Sequence, residues 1–151
     1  MQQILRRLFE KHFGKAPASV IPLEGDGSSR TMFRVVGRDY ETAVGVVGPD
    51  HEENRAFLSY SAAFRSAGLP VPEIYGVDEA AGVYLEEDLG DTTLFDALVT
   101  ARDKAGGSFP DSILPMYRRV VEELPRFQVK GGKVVDYSVA YPRAAFDRQS
   151  I

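Results

Sequence analysis

The stretch Ser19-Val20-Ile21-Pro22-Leu23-Glu24-Gly25-Asp26-Gly27-Ser28-Ser29-Arg30-Thr31-Met32-Phe33-Arg34-Val35-Val36 sets a glycine-rich turn between two β-prone runs. A third run, Thr42–Val47, follows beyond Gly37 and closes on Gly48-Pro49. Short runs rich in Val and Ile, punctuated at Gly25/Gly27, Gly37 and Gly48-Pro49, predict a three-strand antiparallel meander over Ser19–Leu23, Thr31–Val36 and Thr42–Val47.

Working outward, Ile4, Leu5, Leu8, Phe9 and Phe13 recur at helical spacing, and Gly14 with Pro17 ends the pattern, which predicts a helix over 2–13. His12 falls on its surface or last turn. After the meander, Asp50 stands three residues before Glu53, the spacing of a capping box. Phe57, Tyr60, Phe64 and Ala67 continue one apolar face to a stop at Gly68. Leu69-Pro70-Val71-Pro72 is a stiff connector, because each proline pushes its predecessor out of the helical region. Glu73–Val77 and Gly82–Glu87 then predict a second hairpin, with Val83 and Leu85 on one face. Further helices open at Asp91-Thr92-Thr93 and, capped by Ser112, over the run to Leu124, where Pro125 ends or kinks it. Gly131-Gly132 reads equally as a tight hairpin or a surface loop. The expected class is therefore α+β: five antiparallel strands with a helix inserted between the third and fourth, followed by helices.

Composition narrows the function classes. The 151 residues carry a formal net charge of −4, which argues against a broad nucleic-acid surface. There is no cysteine, and His12 and His51 do not form a ligand motif, so no metal site is expected. No uncharged apolar run approaches the ~18 residues a membrane span needs. Arg6, Arg7, Glu10 and Lys11 interrupt the N-terminal apolar pattern, which is wrong for a signal peptide. A cytoplasmic protein is expected.

Two segments can carry chemistry. Gly25-Asp26-Gly27-Ser28-Ser29 allows close backbone approach to a phosphate, with N–H groups and hydroxyls directed at the anion, and Arg30 adds a permanent planar cation. The plainer reading is a flexible hairpin tip. GxGxxG lacks its third glycine, and GxxxxGK[ST] is matched nowhere, which disfavours dinucleotide and P-loop folds. The second segment is Leu85-Glu86-Glu87-Asp88-Leu89-Gly90. A strand ending there can offer the Glu86 carbonyl and the Asp88 amide to the edge of adenine. Its acidic side chains read as solvated charges or as caps for the following helix.

With these residues in place, most of residues 1–128 resembles the N-terminal lobe of the aminoglycoside phosphotransferase/choline kinase family. The strings GLPVPEIYG (68–76) and GVYLEEDLGD (82–91) are most similar to bacterial kinases that phosphorylate N-acetylmuramate or N-acetylglucosamine at the anomeric position. The resemblance implies a protein-kinase-like lobe over 1–90 and the helical start of a truncated C-terminal lobe over 91–151. It implies ATP, Mg2+ and a small-molecule sugar acceptor, with catalytic and metal-binding residues outside this chain. ATP contacts would come from Gly25, Asp26, Gly27, Ser28, Ser29, Arg30 and Arg34 at the phosphates, and from Val44, Leu85, Glu86 and Asp88 at the base. The family's third-strand lysine has no counterpart, since residues 41–49 hold no Lys or Arg. Arg30 or Arg34 is the nearest replacement, and Glu53 is then expected to be a capping residue only. A surface facing a second lobe would favour self-association. The alternative is a non-catalytic module of the same shape that binds a protein partner.

Overall fold

The computed structural model of the chain describes residues 1–24 and 29–145. They divide into two compact units, one of residues 1–88 with the segment beginning at Val135, the other of Leu89–Val134. The first unit contains α1 (Gln2–Phe13), β1 (Ser19–Pro22), β2 (Thr31–Val36), β3 (Thr42–Val47), α2 (His51–Ser66), β4 (Ile74–Asp78) and β5 (Val83–Glu87). The strands form one antiparallel sheet in the order β1-β2-β3-β5-β4. The α+β class and the five-stranded sheet with its inserted helix are thus borne out.

Alternation along the strands sends successive side chains to opposite faces. Val35, Ala43, Val83 and Leu85 point to one face, where α1 covers them with Leu5, Leu8 and Phe9. Leu5, Phe9, Val35, Ala43 and Leu85 have no exposed surface. Gly45 belongs to this face too, and a Cβ there would stand 2.5 Å from Leu5 Cδ2, so the missing side chain is what lets α1 approach the sheet. The opposite face carries Met32, Arg34, Val44, Val46, Tyr84 and Glu86, aligned across β2, β3 and β5 by their register. That is the face α2 meets, since Phe57 stacks on Tyr84.

Local signals explain the helix ends. Gly14 takes φ 76° and so stops α1 in the left-handed region, as Gly68 does at φ 68° beyond α2. Asp50 Oδ1 accepts from the N–H groups of Glu52 and Glu53, both at 3.0 Å, and starts α2. The segment from Val135 returns to this unit, where the Tyr141 hydroxyl donates to Asp50 Oδ2 at 2.7 Å.

The second unit holds α3 (Leu94–Lys104) and α4 (Leu114–Pro125). Thr93 and Asp96 form a reciprocal capping box at the start of α3. Ser112 does not cap α4: the cap position is Ile113, which has no side chain able to accept, and Pro115 in the first turn needs no partner for its nitrogen. α4 ends at Pro125 as expected, and one wide turn over Arg126–Lys130 and a tight turn over Gly131–Lys133 follow it. The latter replaces the possible hairpin at Gly131-Gly132. No helix among the described residues is long and apolar enough to cross a membrane.

Gly45→Val should crowd Leu5 and lower stability by about 1–3 kcal/mol. Leu5→Ala alone should cost about 2–5 kcal/mol through the cavity it leaves. Combined, the two should cost less than their sum, because the alanine vacates the space the valine needs. Urea unfolding of the four proteins in this cycle measures the coupling, and strict additivity would refute the close approach at Gly45.

Candidate functional site

The α2 face of the sheet gathers more polar and aromatic groups than a simple core would. Arg30 precedes β2 and turns its guanidinium under α2. Its Nη2 lies 3.1 Å from Glu53 Oε1, and its Nη1 donates to the Tyr84 hydroxyl at 3.3 Å. The guanidinium carbon sits 5.0 Å from the centre of the Phe57 ring, which itself stacks on Tyr84 with centroids 5.3 Å apart. The Arg30 side chain is only 13% exposed, so this is a largely desolvated cation held by one carboxylate and two aromatic rings. Burial pushes the Tyr84 hydroxyl well above the ordinary phenol range, with the charge on Glu86 adding to it, so it stays protonated.

Glu53 therefore does more than cap α2. Its backbone N–H donates to the capping Asp50 carboxylate while its own carboxylate goes to Arg30, which corrects the expectation of a capping role alone. Phe57 lies one turn further along the same helix face. Neither Phe57 nor Tyr84 stood out in the sequence. The shared parity of positions 84 and 86 on a central strand was the available signal.

Arg34 makes a two-pronged pair with Asp88, Nε to Oδ2 at 2.7 Å and Nη2 to Oδ1 at 3.1 Å. The Asp88 side chain is 5% exposed. Two parallel charge-assisted bonds of this kind fix geometry as well as supply energy. They tie β2 to the first residue beyond β5, and they engage Arg34 in holding that strand end. The acidic run after Leu85 is accordingly not a set of solvated charges. Asp88 is paired, Glu87 accepts from the Glu73 N–H at 3.1 Å, and Glu86 is turned under the sheet. Glu87 also donates its own N–H to the Glu73 carbonyl at 2.8 Å, so pairing with the β4 side persists to the last residue of β5.

Glu86 stands opposite Val44, which stands opposite Arg34. Its Oε2 is buried with no hydrogen-bond partner among the described residues. Burial raises its carboxyl to about 7, an effect the Arg30 charge only partly offsets. Near neutral pH this group can therefore offer either an acceptor or an O–H donor. Leu85, by contrast, points its side chain into the α1 core, so only its backbone is open to a role on this face.

Of the expected phosphate turn, Gly25, Asp26, Gly27 and Ser28 lie outside the described residues, and Ser29 is exposed. The described part of the site is thus Arg30, Arg34, Val44, Glu86 and Asp88, to which Glu53, Phe57 and Tyr84 are added. Beside the Arg30–Glu53 pair is a cavity of about 480 Å³ that also meets Phe57, Tyr60, Tyr137 and Tyr141. That volume is within the usual range for a small-molecule site. Among the described residues no three carboxylate or imidazole groups converge, so no ligand set for magnesium is assigned and no step is derived through one.

No family model matches this sequence, and a search of curated proteins finds no match for it either.

Glu86 carries a carboxyl whose folded value is above its unfolded one, so the unfolded chain ionises first as pH rises. Stability should fall between about pH 4.5 and 7, by on the order of 2–3 kcal/mol, and level off above. Glu86→Gln should remove most of that slope, as read from urea midpoints across this range. An unchanged slope would mean the carboxyl is solvated in the folded protein. Arg34→Ala should cost about 3–5 kcal/mol, because it strands the buried Asp88 carboxylate, and Arg34→Ala with Asp88→Asn should recover part of the loss.

Proposed function

We propose that this chain is the nucleotide-binding part of a small-molecule phosphotransferase, acting between ATP and a sugar hydroxyl. The observation that carries the reading is the Arg30–Glu53 pair. The helix inserted between β3 and β4 holds, by its carboxylate, a desolvated cation at the end of the glycine-rich turn. A lysine on β3 is the family's usual source of that cation. Here β3 has none, and a guanidinium that enters from the start of β2 reaches the same helix carboxylate.

In this reading Arg30 binds the α- and β-phosphates, and Glu53 fixes the direction in which its N–H groups point. Tyr84 and Phe57 keep water away from the pair and so strengthen its field. Val44 lies against the base. The Arg34–Asp88 pair holds the strand end whose backbone meets the base edge. Magnesium would accompany the triphosphate. Transfer itself is assigned to groups outside this chain, because after the hinge the sequence has no asparagine to stand with an aspartate on the metal. The acceptor proposed is an amino sugar, N-acetylmuramate or N-acetylglucosamine, on the strength of the GLPVPEIYG and GVYLEEDLGD strings. A second reading, a partner-binding module without nucleotide, is favoured by α4, which exposes Met116, Val120, Val121 and Leu124.

Binding of a fluorescent ATP analogue to the chain separates the two. Saturable binding is expected, with Arg30→Ala weakening it by tenfold or more, the loss of a charge-assisted phosphate contact. Arg30→Lys should recover part of it and Glu53→Gln should weaken it less. No binding by the folded chain would favour the partner module. Indifference to Arg30 would remove the proposed counter-charge. In protein expressed from the whole open reading frame, ADP release should be faster with either amino sugar than with kanamycin or choline. The reverse order would overturn the acceptor and leave nucleotide binding standing.

A further inference from the structure

On the other side of α2 from the Arg30–Glu53 pair lies a separate cavity of about 390 Å³, between the helix and the β4–β5 hairpin. Leu58, Val77 and Tyr84, whose side chains share the α2 face, give it an apolar floor, while Val83 reaches it by its backbone, its side chain being turned into the α1 core. Its walls are fixed by hydrogen bonds that do not involve a ligand. Asn54 donates from Nδ2 to the Gly48 carbonyl at 2.9 Å, His51 Nδ1 meets the Glu79 carbonyl at 3.1 Å, and the Gly48 N–H donates to the Gly82 carbonyl at 2.9 Å. The end of the cavity nearest the start of α2 is therefore closed before anything enters, and little ordering remains for binding to supply.

The polar groups around the floor are unequal. Asp78 is already engaged, by Arg7 at 2.6 Å and by the Ala81 N–H at 3.2 Å. Arg55, on the α2 wall, has no ion pair or side-chain hydrogen bond among the described residues, and Asp136 feels its charge without pairing with it. Ser59, one turn further along α2, adds a hydroxyl to the same wall. Glu79 at the exposed rim opposes an entering anion, as does Asp136 through its nearness to Arg55. An apolar floor beneath an uncommitted guanidinium selects a compact apolar body that ends in a planar anion, which a guanidinium binds through two parallel bonds.

We propose that this cavity is a binding site for a small carboxylic acid with an apolar body, its carboxylate on Arg55 and its body on Leu58, Val77 and Tyr84. The site stands independently of the nucleotide reading. It touches that reading only at Tyr84, whose ring floors the cavity while its hydroxyl accepts from Arg30.

Phenylacetate titrated into the ¹⁵N- and methyl-labelled chain tests the proposal by NMR. The methyl signals of Leu58 and Val77 should shift together, with a dissociation constant on the order of 1 mM for a ligand of this size. Phenylacetamide, equal in shape and uncharged, should bind about tenfold more weakly. Arg55→Ala, at an exposed position whose loss the amide spectrum can show to be harmless to folding, should weaken phenylacetate by a similar factor. Glu79→Gln should tighten it. Methyl signals that stay still at saturating phenylacetate, equal binding of acid and amide, or an Arg55→Ala protein that binds as the parent does would each overturn the site.

Discussion

Strand β5 is the constraint on which the rest of this unit depends. It runs between β3 and β4, and each of its residues must serve one face of the sheet. Val83 and Leu85 complete the core under α1, while Tyr84 and Glu86 supply the floor and the buried acid under α2. A slip of one residue would bury Glu86 against Leu5 and Phe9 and set Leu85 beside Arg30. The alternation therefore decides at once how α1 packs and what chemistry the opposite face presents. Gly45, directly opposite Leu85 on β3, removes the one side chain that would compete with Leu5 for that core.

Charge is distributed over the two faces by a different logic. The pairs Arg7–Asp78, Lys15–Asp39 and Arg65–Glu73 are exposed, and pairs of that kind add little to stability. Arg30 and the Arg34–Asp88 pair are largely withdrawn from water, where desolvation opposes attraction and an apolar replacement would often be as stable, while Glu53 keeps about a third of its side-chain surface exposed. Two such pairs and a carboxyl with one oxygen unsatisfied among the described residues make this face costlier to bury than the α1 core.

Much of the fold could be read from local patterns. Thr31–Val36 and Thr42–Val47 end where their glycines predict, and Asp50 starts α2 as its spacing to Glu53 suggests. Those signals act within a few residues and need no knowledge of partners. The destinations of Glu53, Arg34 and Asp88 were not legible, because each depends on the sheet register and joins segments far apart in the chain. Glu53 was hidden by its plausibility as a cap, a role its backbone does fill. The start of α4 was not legible for a related reason. Ser112 looked like the cap, but Pro115 in the first turn lets the helix begin at Leu114 without a side-chain acceptor. The grouping of the Val135 segment with the sheet had no periodic signal to announce it.

The strand order carries a consequence for how the chain is made. The β1–β2–β3 meander and α2 can form as soon as residues 19–66 have left the ribosome, since their contacts are local. β4 is synthesised next, yet it has no place of its own on β3: the neighbour of β3 is β5, which emerges later. During that interval β3 presents an open edge, with Val44 and Val46 uncovered and Arg34 waiting for a carboxylate 54 residues further along. Vectorial synthesis thus leaves this sheet exposed to wrong pairing until residue 87 appears, a hazard shared by topologies rich in distant contacts. Arrival of β5 removes the exposed edge and delivers both Tyr84 and Asp88 to their arginines in one event.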